Sequence, residues 1–314
     1  MNETKLILLC GSRMALPVMR DLVFHRQLAA VVIPEHCSAF VQQVQLLLKE
    51  SGIPVLIVTR KNFESTLQHA IKKYQVTIGI MLTFSFKLPA AVYGLPPGGF
   101  FNIHPGPLPG YRGPDPVFWQ IKNREPYAGI AIHKVDDNFD TGSLVLSDKI
   151  RLSATYTHGT LTTKLGELAT MLSGILIKMA GFGIAIPSRL QDNDKAVYYR
   201  RQGTGDISIN WNTMDAETII ALINACNPWN KGAVTKLNEK IIRILLAEKV
   251  DSPDPIDSES KPGSILTIDA KGIDVALKNK GRLRITYVYV DEGFLHASKI
   301  AEFGVTASAS FITI

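Results

Sequence analysis

The sequence predicts an α/β protein, in which a Rossmann-like, mostly parallel sheet with helices on both faces is followed by a small OB-like β-barrel domain. Over the first hundred residues, short apolar runs rich in Val, Ile and Leu alternate with segments whose apolar residues have helical spacing. Such strand–helix–strand repeats are typical of a parallel sheet covered on both faces. Towards the C-terminus, short strands with closely spaced turn signals are typical of a small barrel.

The first hundred residues contain five predicted strands and three predicted helices. The strands are Lys5–Cys10, Ala29–Ile33, Ile53–Ile57, Val76–Leu82 and Gly99–Ile103. The helices between them are Ala15–Phe24, Phe40–Glu50 and Phe63–Lys73. Sites in sheets of this kind lie at the carboxyl ends of the strands. We therefore expect functional residues to follow the strands, in particular the fifth.

The pattern changes after the fifth strand. A Pro/Gly-rich loop, His104–Pro116, leads to a short helix near Val117–Asn123 and an alternating strand, Gly129–Val135. A long helix follows, which Thr157 or Thr160 can cap. One stripe of this helix is apolar and predicts core packing, with Leu161, Leu165, Leu168, Leu172, Ile175 and Met179. The polar stretch Pro187–Gly205 predicts a linker over the surface.

We divide the chain into a first domain, 1–185, a linker, 186–206, and a C-terminal OB-like domain, 207–314. The helix Ala216–Asn224 opens the last domain, and the acidic stretch Asp251–Lys261 is predicted to be a flexible loop. Five strands are predicted there, Ala233–Leu237, Ile241–Ala247, Ser264–Ile268, Gly272–Leu277 and Leu283–Val290.

The formal charge of +6 is unevenly distributed along the chain. Residues 1–204 carry 22 Lys and Arg against 14 Asp and Glu, whereas residues 205–314 carry 12 against 14. A positive field on the first part favours an anionic small-molecule ligand, although an ordinary solvated surface explains the excess equally well. The slight negative balance of residues 205–314 is unfavourable for binding a polyanion such as RNA.

Several classes of protein are disfavoured. The apolar run Leu6–Cys10 is too short for a signal-peptide core, and glycines and a lysine interrupt Met171–Ile186, so we expect a cytoplasmic protein without membrane spans. The spacing G-x-G-x-x-G is absent around Gly11, which favours a tight strand–helix turn over an NAD site. Three scattered cysteines predict reduced thiols and neither disulfides nor a metal site, namely Cys10, Cys37 and Cys226.

The end of the fifth strand holds the strongest candidate site. Asn102 and His104 are two residues apart on a strand, so both side chains point to one face and can reach one reacting atom. Prolines at positions 105, 107, 109, 114 and 116, with glycines between them, fix the following loop without regular structure. Ordering such a loop is costly, and fixed irregular loops are typical of functional sites.

A second polar turn, Asp136–Gly142, leaves the alternating strand, and its Asp140 can orient His104 as in base–orienter pairs. Each motif also has a structural explanation, because a lone histidine after a strand is usually satisfied locally and Asp-Thr-Gly is a common turn. The combination of Asn102 and His104 with a rigid loop favours a functional role. We interpret the other histidines as structural, namely His25, His36, His69, His133, His158 and His296.

At these residues the sequence resembles the folate-dependent formyltransferase family, which includes methionyl-tRNA, glycinamide ribonucleotide and sugar N-formyltransferases. The matching motifs are Asn102-Ile103-His104-Pro105, then Leu108-Pro109-x-Tyr111-Arg112-Gly113, then Asp136 with Asp140-Thr141-Gly142. Thr83–Pro89 is similar to the family's folate-pocket segment. Trp211 and Asn227-Pro228-Trp229 are similar to the C-terminal domain of the methionyl-tRNA branch, so the resemblance covers nearly the whole chain.

The resemblance implies 10-formyltetrahydrofolate as the donor co-substrate and a primary amine as the acceptor. Asn102 and protonated His104 would stabilise the oxyanion of the tetrahedral intermediate, while Asp140 holds His104 and helps to move protons. The folate would bind Phe84, Ser85, Phe86, Lys87, Leu88, Asp136, Asp137 and Asn138. The acceptor would bind Gly11, Ser12, Arg13, Tyr111, Arg112 and Gly113.

The identity of the acceptor stays open. Chain length and the C-terminal domain favour initiator methionyl-tRNA. The short, nearly neutral segment Ile33–Phe40 stands where that branch carries a long basic loop, and it favours a small amine such as an amino sugar or a carrier-bound amino acid. Tyr199-Arg200-Arg201 and His-Pro-Gly-Pro are similar to sugar-modifying enzymes and to peptide-synthetase formylation domains, respectively. A 10-formyltetrahydrofolate hydrolase and a non-enzymatic folate- or RNA-binding module are the alternatives.

Overall fold

The computed structural model describes residues 4–251 and 260–314. Contacts divide the chain into two compact units. The first comprises Met1–Pro116, Ala128–Ile150 and Thr162–Tyr199, and the second Val117–Tyr127, Arg151–Leu161 and Arg200–Ile314. Two short segments inside 1–185 thus belong to the second unit, and the division at 185 and 206 remains a proposal. Most of the predicted loop Asp251–Lys261 lies outside the described residues.

Seven strands form the sheet of the first unit: β1 (Leu6–Cys10), β2 (Leu28–Pro34), β3 (Val55–Val58), β4 (Ile78–Leu82), β5 (Phe100–His104), β6 (Tyr127–Lys134) and β7 (Leu144–Arg151). Their order in the sheet is β3-β2-β1-β4-β5-β6-β7. Neighbours from β3 to β5 are parallel, whereas β6 runs antiparallel to β5. The predicted mostly parallel sheet is confirmed. The sequence pattern misses β7, because exposed polar residues occupy its middle.

Five of the described helices lie wholly or mostly in the first unit: α1 (Leu16–Phe24), α2 (Ser38–Leu48), α3 (Phe63–Lys73), α4 (Ala90–Tyr93) and α6 (His158–Gly181). The helix α5 (Pro116–Lys122) lies almost entirely in the second unit. The Thr157 hydroxyl accepts the Thr160 backbone N–H at 3.2 Å and caps the start of α6. In the described ranges, no helix combines the length and the apolar character that a membrane span requires.

The strand order places a crevice between β1 and β4. The chain runs outwards from β1 to β3 on one side and from β4 to β5 on the other, so the order reverses at this pair. Gly11 follows β1 and Thr83 follows β4. A Cβ added to Gly11 would lie 2.6 Å from the Thr83 carbonyl oxygen, so this close approach requires glycine. Every residue of β1 is buried, as expected for a strand covered on both faces.

The second unit contains the helices α7 (Thr204–Ile207) and α8 (Ala216–Ala225) and the strands β8 (Ala233–Leu237), β9 (Lys240–Lys249), β10 (Ile265–Asp269), β11 (Gly272–Ala276), β12 (Arg282–Val290), β13 (Gly293–His296) and β14 (Phe311–Ile312). The main order is β10-β11-β12-β9-β8-β14, with β13 beside β12. Hydrogen bonds from Ile265 N to Ala309 O and from Phe311 N to Gly263 O join the two ends of the sheet. The predicted small barrel is confirmed. The patterns miss the short strands β13 and β14 and the short helix α7.

The interior of the barrel is organised around Trp211. This side chain is 1% exposed, stacks on Phe311 with ring centroids 5.5 Å apart and donates its indole N–H to the Thr235 hydroxyl at 2.9 Å. Because a buried indole N–H needs an acceptor, the threonine on β8 fixes the position of the ring. A large aromatic contact area and one satisfied polar atom thus hold β8 and β14 together.

Replacing Gly79 with alanine tests the packing between β4 and β5. The added Cβ would lie 2.0 Å from the Phe100 ring, which is itself buried, so the ring must move within a packed core. We expect Gly79→Ala to lower the free energy of unfolding by about 1–3 kcal/mol, measured by urea denaturation.

The matched control for this change is Gly174→Ala in α6. Apart from the backbone of α6 itself, no heavy atom of the described residues lies within 4 Å of that Cβ. Alanine is also the better helix former, so we expect a gain of up to about 1 kcal/mol. Equal stability of wild type and Gly79→Ala would contradict the packing described for β4 and β5.

Candidate active site

Asn102, His104 and Asp140 meet at the end of β5. Oδ1 of Asp140 lies 3.2 Å from Asn102 Nδ2 and 3.4 Å from His104 Nδ1. Both β5 side chains point to one face because they are two residues apart on a strand. His104 and Asp140 are 4% and 9% exposed, and Asn102 is partly buried. The structure thus brings together the three residues that the sequence predicts to be catalytic.

The backbone around Asp140 is held in an unusual conformation. Its φ of 59° lies in the left-handed region, which aspartate tolerates better than most residues. The side-chain amide of Gln191 donates to the backbone carbonyl oxygens of Asp140 and Gly142, at 2.8 Å in each case. A Cβ on Gly142 would lie 1.8 Å from the Lys134 carbonyl oxygen, so the turn also requires this glycine. These contacts direct the carboxylate towards β5.

The carboxylate of Asp140 is charged although it is buried. Burial acts to raise its pKa, but the charge and hydrogen bond of His104, the contact with His133 and the Gly113 backbone N–H, 3.0 Å from Oδ2, outweigh burial. The net result holds the pKa of Asp140 well below its usual range. Asp140 therefore acts as a fixed negative charge beside His104.

The His104 ring is placed between two hydrogen-bond acceptors. Nε2 lies 2.6 Å from the backbone oxygen of Tyr111, and Nδ1 faces the Asp140 carboxylate. Because a carbonyl oxygen only accepts, Nε2 must carry a hydrogen. A second hydrogen on Nδ1 satisfies the carboxylate, so the doubly protonated ring fits this environment. An imidazolium in this position can donate to a developing negative charge or release a proton.

His133 is a fourth member of the cluster, although the sequence patterns favour a structural role for it. Its Nε2 lies 3.0 Å from Asn102 Nδ2 and 3.5 Å from Asp140 Oδ1, and the residue is 2% exposed. The antiparallel register of β5 and β6 places His133 directly beside Asn102. The alternating pattern of a strand does not show which residues of a neighbouring strand lie opposite. The sequence therefore does not reveal that His133 lies beside Asn102.

The Arg112 side chain is held by two side chains of the segment 191–193. It is buried, and its Nε and Nη2 donate to Gln191 Oε1 at 3.2 and 2.9 Å, while Nη2 also donates to Asn193 Oδ1 at 2.9 Å. Since Gln191 in turn holds the Asp140 backbone, Arg112 stabilises the Asp140 turn from behind. The predicted contact between Arg112 and the acceptor stays a prediction. Residues 186–199 of the predicted linker belong to the first unit, and most of them are exposed.

The other residues predicted to bind the acceptor divide into two groups. Tyr111 and Gly113 shape the loop after β5: the Tyr111 ring stacks on Tyr199, with centroids 4.8 Å apart, and a Cβ on Gly113 would lie 2.0 Å from the Tyr199 oxygen. Ser12 and Arg13 follow β1 beside the crevice, where Ser12 Oγ lies 2.9 Å from Thr83 Oγ1. The exposed Arg13 donates from Nε to Gln43 Oε1 at 3.0 Å.

The segments predicted to bind folate are Phe84–Leu88 and Asp136–Asn138. Phe86 and Leu88 are buried in the core, Phe84 is partly buried against Phe86, and Ser85 and Lys87 are exposed. The Tyr93 hydroxyl on α4, just after the first segment, donates to Asp137 Oδ1 at 2.8 Å. Thus Ser85, Lys87 and Phe84 offer surface to a ligand, whereas Phe86 and Leu88 support them.

Possible metal ligands and cysteine thiols were the other reactive side chains of interest. Among residues 4–251 and 260–314, no three His, Cys, Asp or Glu side chains are grouped so as to hold a metal ion. The three cysteines are free thiols, and burial raises the pKa of Cys226 to about 12 and that of Cys10 further. Those two groups therefore remain protonated.

Comparison with known sequences gives the family. Residues 28–173 match the formyl transferase family and residues 204–294 match the formyl transferase C-terminal domain. A methionyl-tRNA formyltransferase of Marinobacter nauticus is 32% identical over 249 residues, which cover 78% of this chain and 75% of that one. The chain belongs to the formyl transferase family.

Solved structures share the fold. HypX of Aquifex aeolicus in complex with tetrahydrofolic acid has a TM-score of 0.64 and 16% identity, over 95% of this chain and 47% of HypX, so the chain spans about half of that protein. The N-formyltransferase of Helicobacter canadensis in complex with folinic acid and dTDP-3-aminofucose has a TM-score of 0.64 and 15% identity, over 90% and 98% of the two chains.

Family membership defines the class of reaction. The protein is a folate-dependent formyltransferase, an enzyme that moves a formyl group from 10-formyltetrahydrofolate to an amine. The resemblance seen in the sequence motifs is thereby confirmed at the level of family, enzyme class and donor.

Replacing Asp140 with asparagine tests the charged state of the buried carboxylate. Since its pKa is lower in the folded protein than in the unfolded chain, at about 3.9, ionised Asp140 stabilises the fold above that pH and the contribution is lost as the pH falls. We expect the stability difference between wild type and Asp140→Asn, from urea denaturation, to be constant near pH 5 and to shrink progressively below about pH 4.

Asp148→Asn, which removes an exposed carboxylate on β7, is the control for the loss of one acidic group. A stability difference at Asp140 that persists unchanged from pH 5 to pH 3 would show that the carboxylate is not held ionised by its neighbours.

Proposed function

We propose that the protein formylates the primary amine of a small or carrier-bound acceptor, with Asn102, His104 and Asp140 at the reacting centre. The observation that supports this assignment most strongly is the buried, ionised Asp140 beside His104, whose two ring nitrogens both face acceptors. This arrangement favours a cationic ring, which suits the stabilisation of an oxyanion.

In the proposed reaction the amine nitrogen attacks the formyl carbon, and the carbonyl electron pair moves to oxygen. At rest the Nε2–H of His104 is donated to the Tyr111 carbonyl oxygen. An oxyanion is a stronger acceptor than a peptide carbonyl, so it would draw this hydrogen bond towards itself as its charge develops. Preorganised donors of this kind contribute about 3–4 kcal/mol to transition-state stability.

Collapse of the intermediate breaks the bond between the formyl carbon and N10. The leaving N10 gains a proton and the amine loses one, so proton transfer is balanced across the reaction. We assign both transfers to His104, which gives a proton to N10 and receives the proton of the amine. Asp140 is ionised and keeps the His104 ring aligned for both transfers.

We propose that the folate binds Phe84–Leu88 and Asp136–Asn138. Phe84 offers an aromatic surface, while Ser85 and Lys87 are exposed for polar contacts. The lysine and the positive balance of residues 1–204 suit the anionic glutamate tail of the donor.

The segment after β2 favours a small acceptor. A single turn of 3₁₀ helix, Glu35–Cys37, joins β2 directly to α2, and residues 33–40 contain no Lys or Arg. His36 Nε2 lies 3.4 Å from Ser85 Oγ, and the His36 ring lies 6.1 Å from the Phe86 ring, so the turn packs on the proposed folate segment. There is no basic extension here to follow a tRNA backbone.

Initiator methionyl-tRNA is the second candidate acceptor, because the M. nauticus relative and others at 26–32% identity are named methionyl-tRNA formyltransferases. To distinguish the two, the protein is incubated with 10-formyltetrahydrofolate and one acceptor at a time. The acceptors are nucleotide-linked amino sugars, free and carrier-bound amino acids, and charged initiator tRNA, and tetrahydrofolate and formate are both followed. We expect tetrahydrofolate without formate, with a small or carrier-bound amine only.

If charged initiator tRNA is the only acceptor that supports turnover, the acceptor is the tRNA and not a small amine. Formate release without any acceptor would identify a hydrolase. If the donor is not turned over under any condition, the proposed formyl transfer is wrong.

Two substitutions test the reacting centre. We expect His104→Ala and Asp140→Asn to fold normally and to lose about a hundredfold or more in kcat, because each removes part of the charged pair that stabilises the oxyanion. His69→Ala, an exposed histidine on α3, is the matched control and keeps wild-type turnover. Wild-type rates in either site variant would exclude that residue from the mechanism.

A further inference from the structure

The segment 189–199 lies beside both parts of the chain that face the His104 ring. Leu144, at the start of β7, and Arg189 exchange two backbone hydrogen bonds, of 2.8 and 2.9 Å. This pairing holds the segment against the turn that contains Asp140. Apart from one short 3₁₀ turn, the segment has no helix or longer strand of its own, so its contacts determine its position.

The Gln191 side chain bonds to both sides of the Asp140 turn. Its Nε2 donates to the backbone oxygens of Asp140 and Gly142, at 2.8 Å in each case, and these two bonds use both amide hydrogens. Its Oε1 accepts from Nε and Nη2 of Arg112. A rotated amide would place Oε1 against two carbonyl oxygens and Nε2 against a guanidinium, so these partners permit one orientation of the amide.

The hold on this turn matters because the Asp140 backbone is strained. Its φ of 59° lies in the left-handed region, where a residue other than glycine persists only if its surroundings impose the conformation. Gln191 and Asp140 are each 9% exposed, so loss of the amide would leave buried carbonyl oxygens without a donor. Without these two N–H groups the turn would relax, and the carboxylate would move away from β5.

The same segment also fixes the loop after β5. Three backbone hydrogen bonds of 2.8–3.1 Å join them, from Arg112 N to Val197 O, from Val197 N to Pro109 O and from Tyr199 N to Arg112 O. Tyr111 lies between the two bonded residues of the loop, and its ring stacks on that of Tyr199. The backbone oxygen of Tyr111 is thereby fixed.

Both groups that face the His104 ring thus depend on the segment 189–199. Nε2 of the ring lies 2.6 Å from the Tyr111 oxygen, and Nδ1 lies 3.4 Å from Asp140 Oδ1. In the part of the chain that the structure describes, the polar atoms of Gln191 bond to the three partners named above and not to the imidazole. An effect of Gln191 on His104 is therefore transmitted through the Asp140 turn.

We infer that Gln191 is a positioning residue for formyl transfer, which fixes the Asp140 carboxylate against His104 Nδ1 through the backbone of the Asp140 turn. This inference rests on the proposed function, in which His104 stabilises the oxyanion and transfers protons. Both steps need an aligned ring, and a displacement of about 1 Å at a reacting centre can cost about a hundredfold in rate. Gln191 thus acts on the rate through another residue.

Gln191→Glu separates the hold on Asp140 from packing. The change keeps the length of the side chain and an oxygen towards Arg112, but it removes both N–H donors. With the acceptor that the wild type formylates, we expect kcat per folded molecule to fall about 10–100-fold, with little change in the KM for 10-formyltetrahydrofolate. Thermal unfolding gives the folded fraction. A Gln191→Glu protein with wild-type kcat would overturn the inference.

Gln68→Glu, on α3, is the matched control. The Gln68 amide also donates to a backbone oxygen, that of Ala91 at 3.5 Å, outside the candidate site. We expect wild-type turnover in this variant. A comparable loss of kcat in Gln68→Glu would show that the effect is not specific to the Asp140 turn, and the assignment to Gln191 would be wrong.

The decisive comparison uses Asp140→Asn as a second background. If Gln191 acts through the Asp140 carboxylate, Gln191→Glu causes little further loss of kcat in the Asp140→Asn protein. An equal fold-loss in both backgrounds would show that Gln191 acts by another route and would overturn the inference.

A spectroscopic measurement makes the inference independent of turnover. Gln191→Met changes no charge, so we expect it to shift the ¹⁵N resonances of the His104 ring and to leave those of His69, on α3, unchanged. His104 resonances identical to those of the wild type would contradict the inference. This result does not depend on the acceptor, so it is distinguishable from a failure of the proposed function, in which the wild type turns over no donor.

Discussion

The carboxylate of Asp140 is the constraint on which the candidate site depends. Asn102, His104 and His133 approach its Oδ1 within 3.2–3.5 Å, and the Gly113 backbone N–H approaches Oδ2. An isolated buried charge is strongly unfavourable, so the carboxylate stays ionised only because these groups replace its hydration. In turn, the fixed charge aligns the imidazole and the amide. Loss of the carboxylate would therefore release both residues that face the substrate.

The elements that build this constraint come from distant parts of the sequence. β5 supplies Asn102 and His104, β6 supplies His133, and the turn after β6 supplies Asp140 in a left-handed conformation. That conformation persists because Gln191 bonds to the backbone on both sides of Thr141, and Arg112 in turn anchors Gln191. The stability of the first unit and the geometry of the site are thus linked by the same buried polar network.

The sequence predicts much of the fold and part of the site. Apolar runs identify the central strands because burial on both faces leaves no polar alternation, and strand alternation places Asn102 and His104 on one side. His133 and Gln191 escape prediction, because their partners lie 31 and 51 residues away along the chain. The register of an antiparallel pair and the docking of a segment without regular structure depend on tertiary contacts that no local pattern records. Arg112 is a position of the sequence motif, and its side chain bonds to Gln191 and so supports the Asp140 turn.

A structure with bound 5-formyltetrahydrofolate, a stable isomer of the donor, tests the central claim most directly. We expect the pterin to lie against Phe84–Leu88 and Asp136–Asn138, with the N10 side of the folate within roughly 3–4 Å of His104 and Asn102, close to the reach of a reacting atom. A folate bound elsewhere, or one whose N10 lies beyond the reach of both side chains, would contradict the proposed site.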